Sequence, residues 1–143
     1  MCGRFTQSYT WRELYELYRL TCQPVNVEPR YNIAPTTMID VVVSRETGRD
    51  LRAMRWGLIP SWWKKTAKQA PSTFNARAET VATEPMFRAA FKRSRCLIPA
   101  SGYYEWKATP TGKQPYYISA RDASVLSFAG LWDEGGTSRP AKR

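Results

Sequence analysis

A chain of 143 residues holds one domain that buries about two-thirds of its unfolded surface, and 43% hydrophobic against 24% charged residues places it in the globular class. Its apolar runs stay short of the ~18 residues of a membrane span and no secretory apolar core follows Met1, so a cytosolic chain without membrane attachment is expected. A net charge of +10 favours polyanionic partners, nucleic acid first, with a solvated basic surface as the alternative.

Six tryptophans and eight tyrosines sharpen that expectation, because basic grooves interleaved with aromatic faces suit unpaired bases. The three cysteines, Cys2, Cys22 and Cys96, have no paired spacing, and the chain has no histidine, so neither a metal site nor a small-molecule cofactor is expected. The lack of histidine also removes Ser–His and Cys–His activation of a nucleophile. Acid–base work falls to carboxylates, lysines, tyrosines or the terminal amine.

In chain order, Cys2 comes first. Trimming of Met1 would leave it with an α-amine and a thiol on adjacent carbons, with reference pKa values of about 8 and about 8.5, so both are partly nucleophilic near neutrality. Such a 1,2-aminothiol condenses with an aldehyde to a Schiff base, and the thiolate closes a five-membered thiazolidine. The other reading is a small residue in a frayed terminus.

Thr10 and Glu13 form a capping box, and Trp11, Leu14, Tyr15 and Tyr18 recur at helical spacing, predicting an amphipathic helix over 11–20. Pro24 to Pro29 is a loop. The segment 30–35 is short and extended, closed by Pro35, which disfavours helix at Ala34. Asn32 within it is either a turn former or a ligand contact. Met38 to Ser44 predicts a buried strand, turned back by 46–50 into a hairpin partner over 51–57. Trp56 belongs to the core. Trp62 and Trp63, beside Lys64 and Lys65, are either core residues at a corner or stacking faces.

The stretch 73–80 suits neither helix nor strand and, if extended, points Asn75, Arg77 and Glu79 the same way. Thr83 or Glu84 then caps a helix with Pro85 near its start and Met86, Phe87, Ala90 and Phe91 inward. Strands follow at 96–99, 103–107, 115–119 and 124–131, and residues 133–143 are expected as a disordered polar tail. Alternation sets Glu105 between Tyr103 and Lys107 on one face. It is either a general acid–base group or a strand glutamate paired to a lysine. Asn75 could hold a carbonyl or cap a turn, and Arg4 and Arg77 suit phosphate.

Six motifs occur in order: Met1-Cys2-Gly3-Arg4-Phe5, residues 29–36 (PRYNIAPT), 54–62 (MRWGLIPSW), 75–80 (NARAET), 95–100 (RCLIPA) and 102–107 (GYYEWK). Together they closely resemble the SOS response-associated peptidase (SRAP) family of abasic-site processing proteins, to about Trp132. The resemblance implies an α+β fold with mixed, mostly antiparallel sheets curled into an open, barrel-like core flanked by helices. It implies covalent capture of abasic sites in single-stranded DNA by a monomer, cytoplasmic (nucleoid-associated) in a bacterium or nuclear in a eukaryote.

By that resemblance Cys2 is the nucleophile, Asn75 orients the reacting end, and Glu105 shuttles protons and serves autoproteolytic release of the preceding residue. A Schiff base would also permit abasic-site lyase chemistry. Arg4 and Arg77 lie beside the DNA backbone, and Asn32, Pro35, Trp62 and Trp63 border the DNA groove. Family members continue through further strands and a His-x-Arg-Met-Pro segment, so residues 1–132 are expected to form an incomplete family domain lacking its last strands. An N-terminal-cysteine peptidase or amidase, a non-covalent single-stranded nucleic-acid-binding module and an inactive remnant stay open as rivals.

Overall fold

The computed structural model describes residues 2–134. The capping box operates as its sequence demands: the Glu13 amide donates to Thr10 Oγ1 (3.2 Å) and the Thr10 amide to Glu13 Oε2 (2.7 Å), opening helix α1 (Trp11–Tyr18). It stops two residues earlier than its periodicity suggests, because Arg19 turns left-handed at φ 51°. The β-branched run predicted as a strand becomes β3 (Met38–Arg45), and β4 (Gly48–Arg55) returns along it in continuous register. Gly48 makes the turn at φ 130°, against the Thr21 side chain, where a Cβ has no room.

The remaining elements are β1 (Arg4–Gln7), β2 (Arg30–Ile33), α2 (Arg88–Arg93), β5 (Arg95–Ala100), β6 (Gly102–Thr109), β7 (Gly112–Ile118) and β8 (Leu126–Leu131). They assemble into two four-stranded sheets, ordered β2-β1-β6-β7 and β4-β3-β5-β8, in which every pairing is antiparallel. The expected mostly antiparallel sheets are present, with no parallel pairing among the described residues, and the open barrel-like core is met only in part, because the two sheets do not close on each other. They meet at a corner where the Ser101 amide bonds to the Thr6 carbonyl (2.9 Å). A side chain rather than a backbone ladder spans the gap. Buried Gln7 donates through Nε2 to the Asp40 carbonyl (3.1 Å) and the Pro99 carbonyl (3.0 Å), and its Oε1 accepts from the Asp40 amide (3.2 Å).

Gln7→Leu would strip those partners from buried backbone. It should lower stability by about 2–4 kcal/mol, seen as a lower denaturant midpoint at unchanged slope.

Strand β3 is buried on both faces, which explains its near-continuous apolar run. Val42 joins Tyr9, Leu14, Tyr18 and Leu20 under α1, while Val41 and Val43 join Phe5, Ile33, Trp56 and Ala100 between the sheets. Phe5 meets Trp56 edge-on at 5.0 Å and Phe128 at 6.1 Å, so β1 is pinned three residues after Cys2.

Two local expectations around α2 fail. Residues 78–87 form successive turns, and α2 starts only at Arg88, because Pro85 disfavours helix at Glu84 and Phe87 at the N-cap has no oxygen to cap with. Phe91, expected inward, is 37% exposed, and Leu97 on β5 is 41% exposed. Asp133 and Glu134, assigned to the tail, contact Ser61 (3.4 Å) and Arg45 (3.9 Å) respectively. The rest of the expected disordered tail, 135–143, lies outside the described residues, as does Met1.

Candidate active site

The site is assembled by the first strand. Arg4 pairs with Tyr104 and Phe5 with Tyr103, so the antiparallel register carries the chain before Arg4 toward Glu105 on β6. Cys2 is half-buried, packs against the inter-sheet core and donates its thiol to the Arg4 carbonyl (3.4 Å). Asn75, 73 positions away, donates Nδ2 to the Cys2 carbonyl at 2.7 Å. Its approach is fixed by neighbours on the same loop: Trp56 Nε1 donates to the Phe74 carbonyl (2.8 Å) and Thr73 Oγ1 to the Leu58 carbonyl (2.7 Å). A loop without regular structure is thereby held rigid by core residues on either side of it.

Glu105 is half-buried opposite Tyr116. Burial pushes the Cys2 thiol up from its ordinary pKa, a backbone bond from Arg4 opposes this, and the Glu105 carboxylate adds to the rise. Glu105 therefore lies within electrostatic reach of the sulfur. Cys2, Asn75 and Glu105, drawn from three distant motifs, converge.

The DNA-facing candidates do not converge on the sulfur in the same way. Cys2 and Asn75 line a cavity of about 880 Å³ whose walls include Phe5, Trp56, Phe74 and Arg95, and none of Arg4, Trp62, Trp63 or Arg77 lines it. Arg4 is half-buried on β1, while Asn32 on β2 and Arg77 in its turn are exposed. Trp62 is 50% exposed and stacks edge-on against Trp63 at 6.1 Å, and Trp63 Nε1 donates to the Thr66 carbonyl (3.2 Å). Pro35 borders a second cavity of about 500 Å³ with Thr36, Arg55 and Lys68, and Trp56 and Phe74 wall both spaces. Thr36 there holds a left-handed φ of 73°, tied by its amide to the Trp56 carbonyl (2.8 Å).

Sequence reasoning missed Thr36 and Gln7, whose hydrogen-bond partners are distant in sequence. It also passed over Tyr104 and Trp106, which strand alternation does place on one face. Among the described residues no cluster of three His, Cys, Asp or Glu side chains is placed to hold a metal ion. No helix among them is long and apolar enough to cross a membrane.

The buried thiol of Cys96 is held unreactive by its surroundings. Cys96 is buried and its pKa is pushed up to about 12 by desolvation, while Cys22 accepts from the Leu51 amide at 3.4 Å. At pH 8, alkylation of folded protein with iodoacetamide should leave Cys96 unlabelled, at a rate about a thousandfold below that of a free thiol. Peptide mapping by mass spectrometry checks it.

Solved structures share this two-sheet class of α+β fold. A Bacteroides thetaiotaomicron protein superimposes with a TM-score of 0.80 at 26% identity, over 92% of this chain and 61% of that one. A phage-related protein of Bordetella bronchiseptica gives 0.70 at 30% identity, over 95% and 63%. Within that class the chain belongs to the SOS response associated peptidase (SRAP) family, which it matches over residues 1–142.

Among its relatives, the abasic site processing protein YoqW of Bacillus subtilis is 36% identical over 140 residues, covering 96% of this chain and 62% of the relative. The abasic site processing protein YedK of Escherichia coli is 35% identical over 136 residues, covering 92% and 59%. The Xenopus tropicalis abasic site processing protein HMCES is 38% identical over 102 residues, covering 64% and 30%. The chain thus spans about three-fifths of the length of the bacterial relatives.

Proposed function

We propose that this chain processes abasic sites in single-stranded DNA by crosslinking itself to them through Cys2. The hydrogen bond from Asn75 to the Cys2 carbonyl carries the reading, because it fixes the Cα from which both the amine and the thiol of that residue project. Hydrolysis of the Met1–Cys2 bond frees the α-amine, in the family's autopeptidase role. The amine adds to the open-chain C1′ aldehyde, giving a carbinolamine. Glu105 protonates the departing hydroxyl, which leaves as water and yields the imine. The thiol then adds across C=N: sulfur bonds to C1′ and nitrogen takes up a proton, closing the thiazolidine. The imine alternatively loses the 3′-phosphate by β-elimination, a lyase side path.

Only the amine can form an imine with the aldehyde, and the thiol then adds to that imine, so nitrogen attacks first and sulfur second. The basic balance and the exposed Trp62 beside Trp63 support a single-stranded polyanion as substrate, whose non-covalent affinity falls steeply with salt. Intact-mass measurement of the protein before and after incubation with an abasic oligonucleotide tests the reading. A species lacking Met1 should gain the oligonucleotide mass less one water. No adduct on protein with a free Cys2 amine would sink the proposal, and turnover of peptides instead would favour an N-terminal-cysteine peptidase.

A further inference from the structure

Strand alternation divides β6 between two environments. Tyr103 faces the second sheet and packs on Phe128 at 5.6 Å, and Glu105 shares its face. Tyr104 and Trp106 lie on the opposite face, Tyr104 half-buried and Trp106 exposed. Across the ladder Tyr104 lies opposite Arg4 on β1 and Tyr117 on β7, while Trp106 lies opposite Pro115 and Ala108 opposite Lys113. Directly paired residues share a face. The outer face of this sheet is therefore an aromatic row, Tyr104, Tyr117 and Trp106, with Arg4 at the end near Cys2 and Lys113 at the other. None of the residues placed on this face by those pairings is acidic.

The rings are set in place before any partner arrives. Tyr104 stands 5.1 Å from Tyr117 and 6.3 Å from Trp106, in tilted arrangements that leave ring surface open. Trp106 and Tyr117 are 44% and 49% exposed. Tyr117 is anchored by its hydroxyl to Thr6 Oγ1 (2.9 Å), and the Tyr104 hydroxyl donates to the Tyr31 carbonyl (3.4 Å). Gly102 is the reason Tyr117 can lie there, since a Cβ at that position would sit 2.4 Å from the phenol carbon. Ring faces held by hydrogen bonds lose little entropy on stacking, and the flanking cations match a phosphate backbone.

We propose that this face is a stacking platform for single-stranded nucleic acid: unpaired bases lie on Tyr104, Tyr117 and Trp106, and Arg4 and Lys113 hold phosphates at its ends. The inference deepens the proposed capture reaction and rests on it for the substrate class, because the platform ends at Arg4, two residues from Cys2.

The test uses the whole chain and an undamaged oligothymidylate of about twenty nucleotides, followed by fluorescence anisotropy. Trp106→Ala and Tyr104→Leu should each weaken binding by roughly 5- to 100-fold, whereas Trp106→Phe and Tyr104→Phe stay within about twofold. Far-UV circular dichroism reports folding. If the truncated variants do not fold, the unaltered protein decides the matter: irradiation with a 5-bromodeoxyuridine oligonucleotide should place crosslinks on the β6–β7 hairpin. Crosslinks confined to Trp62 and Trp63, affinity unchanged in both truncations, or no binding by the parent chain would overturn the platform. So would variants that convert a self-associated species to monomer, which would make the face a contact between copies.

Adduct formation with an abasic oligonucleotide is scored in parallel. Capture without platform dependence defeats this inference alone; platform dependence without capture defeats the covalent reading alone.

Discussion

Cys2→Ser should abolish the acid- and heat-stable adduct with abasic single-stranded DNA while sparing a borohydride-reducible imine. The substitution keeps the α-amine and the Asn75 grip on the carbonyl, since neither involves the sulfur. It removes only the second nucleophile. An alkyl hydroxyl is almost never ionised near neutrality, and the oxygen ring it could form reopens readily, so the stable product should fall at least a thousandfold. Packing loss is small at a half-buried position that exchanges sulfur for oxygen. Denaturing gels with and without reduction separate the two products. A heat-stable adduct surviving in Cys2→Ser would assign closure to another group. Loss of the reducible imine as well would mean that the amine is not the first nucleophile.

The parts legible in the sequence are those whose causes are local. The Thr10–Glu13 box lies within one turn, and the β3–β4 hairpin declares itself by a β-branched run followed by a Gly-containing turn. Strand β1 went unread because Arg4–Gln7 is four residues long, and it becomes a strand through partners near residues 30 and 103. Gln7 shows the same limit: nothing in its neighbourhood indicates that its amide will stitch two sheets. Pattern alone left each of three residues between two readings: Cys2 a nucleophile or a frayed terminus, Asn75 a carbonyl holder or a turn former, and Glu105 an acid–base group or a paired strand glutamate. The ordered motifs raised all three through family resemblance, and the fold supplies the physical cause, a first strand that returns the terminus to β6 beside the 73–75 loop. The aromatic platform was within reach of sequence, because the alternation that sets Glu105 on one face sets Tyr104 and Trp106 on the other.

Glu105→Gln should move two reactivities of Cys2 in opposite directions. Capture should slow by roughly 10²- to 10⁴-fold, the range for removal of a positioned acid–base group, because the carbinolamine loses its proton donor. The thiol should become more reactive. Burial is the main cause of its raised pKa and contributes equally in both proteins, but the Glu105 charge adds to the rise and is absent from the variant. The variant's thiol therefore titrates at lower pH, and at pH 8 a larger fraction is thiolate. Iodoacetamide should label Cys2 faster in Glu105→Gln than in the parent, and the alkaline rise in labelling rate should begin at lower pH. A variant that merely disordered the terminus would also speed labelling, by relieving burial. Asn75→Ala separates the cases, since it loosens the terminus while keeping the carboxylate. If Glu105 acts through charge and proton transfer, only its variant should recover part of its capture rate when small carboxylic acids are added. Equal recovery in both variants, or slower labelling in Glu105→Gln, would remove the carboxylate from the reaction and leave it a strand residue.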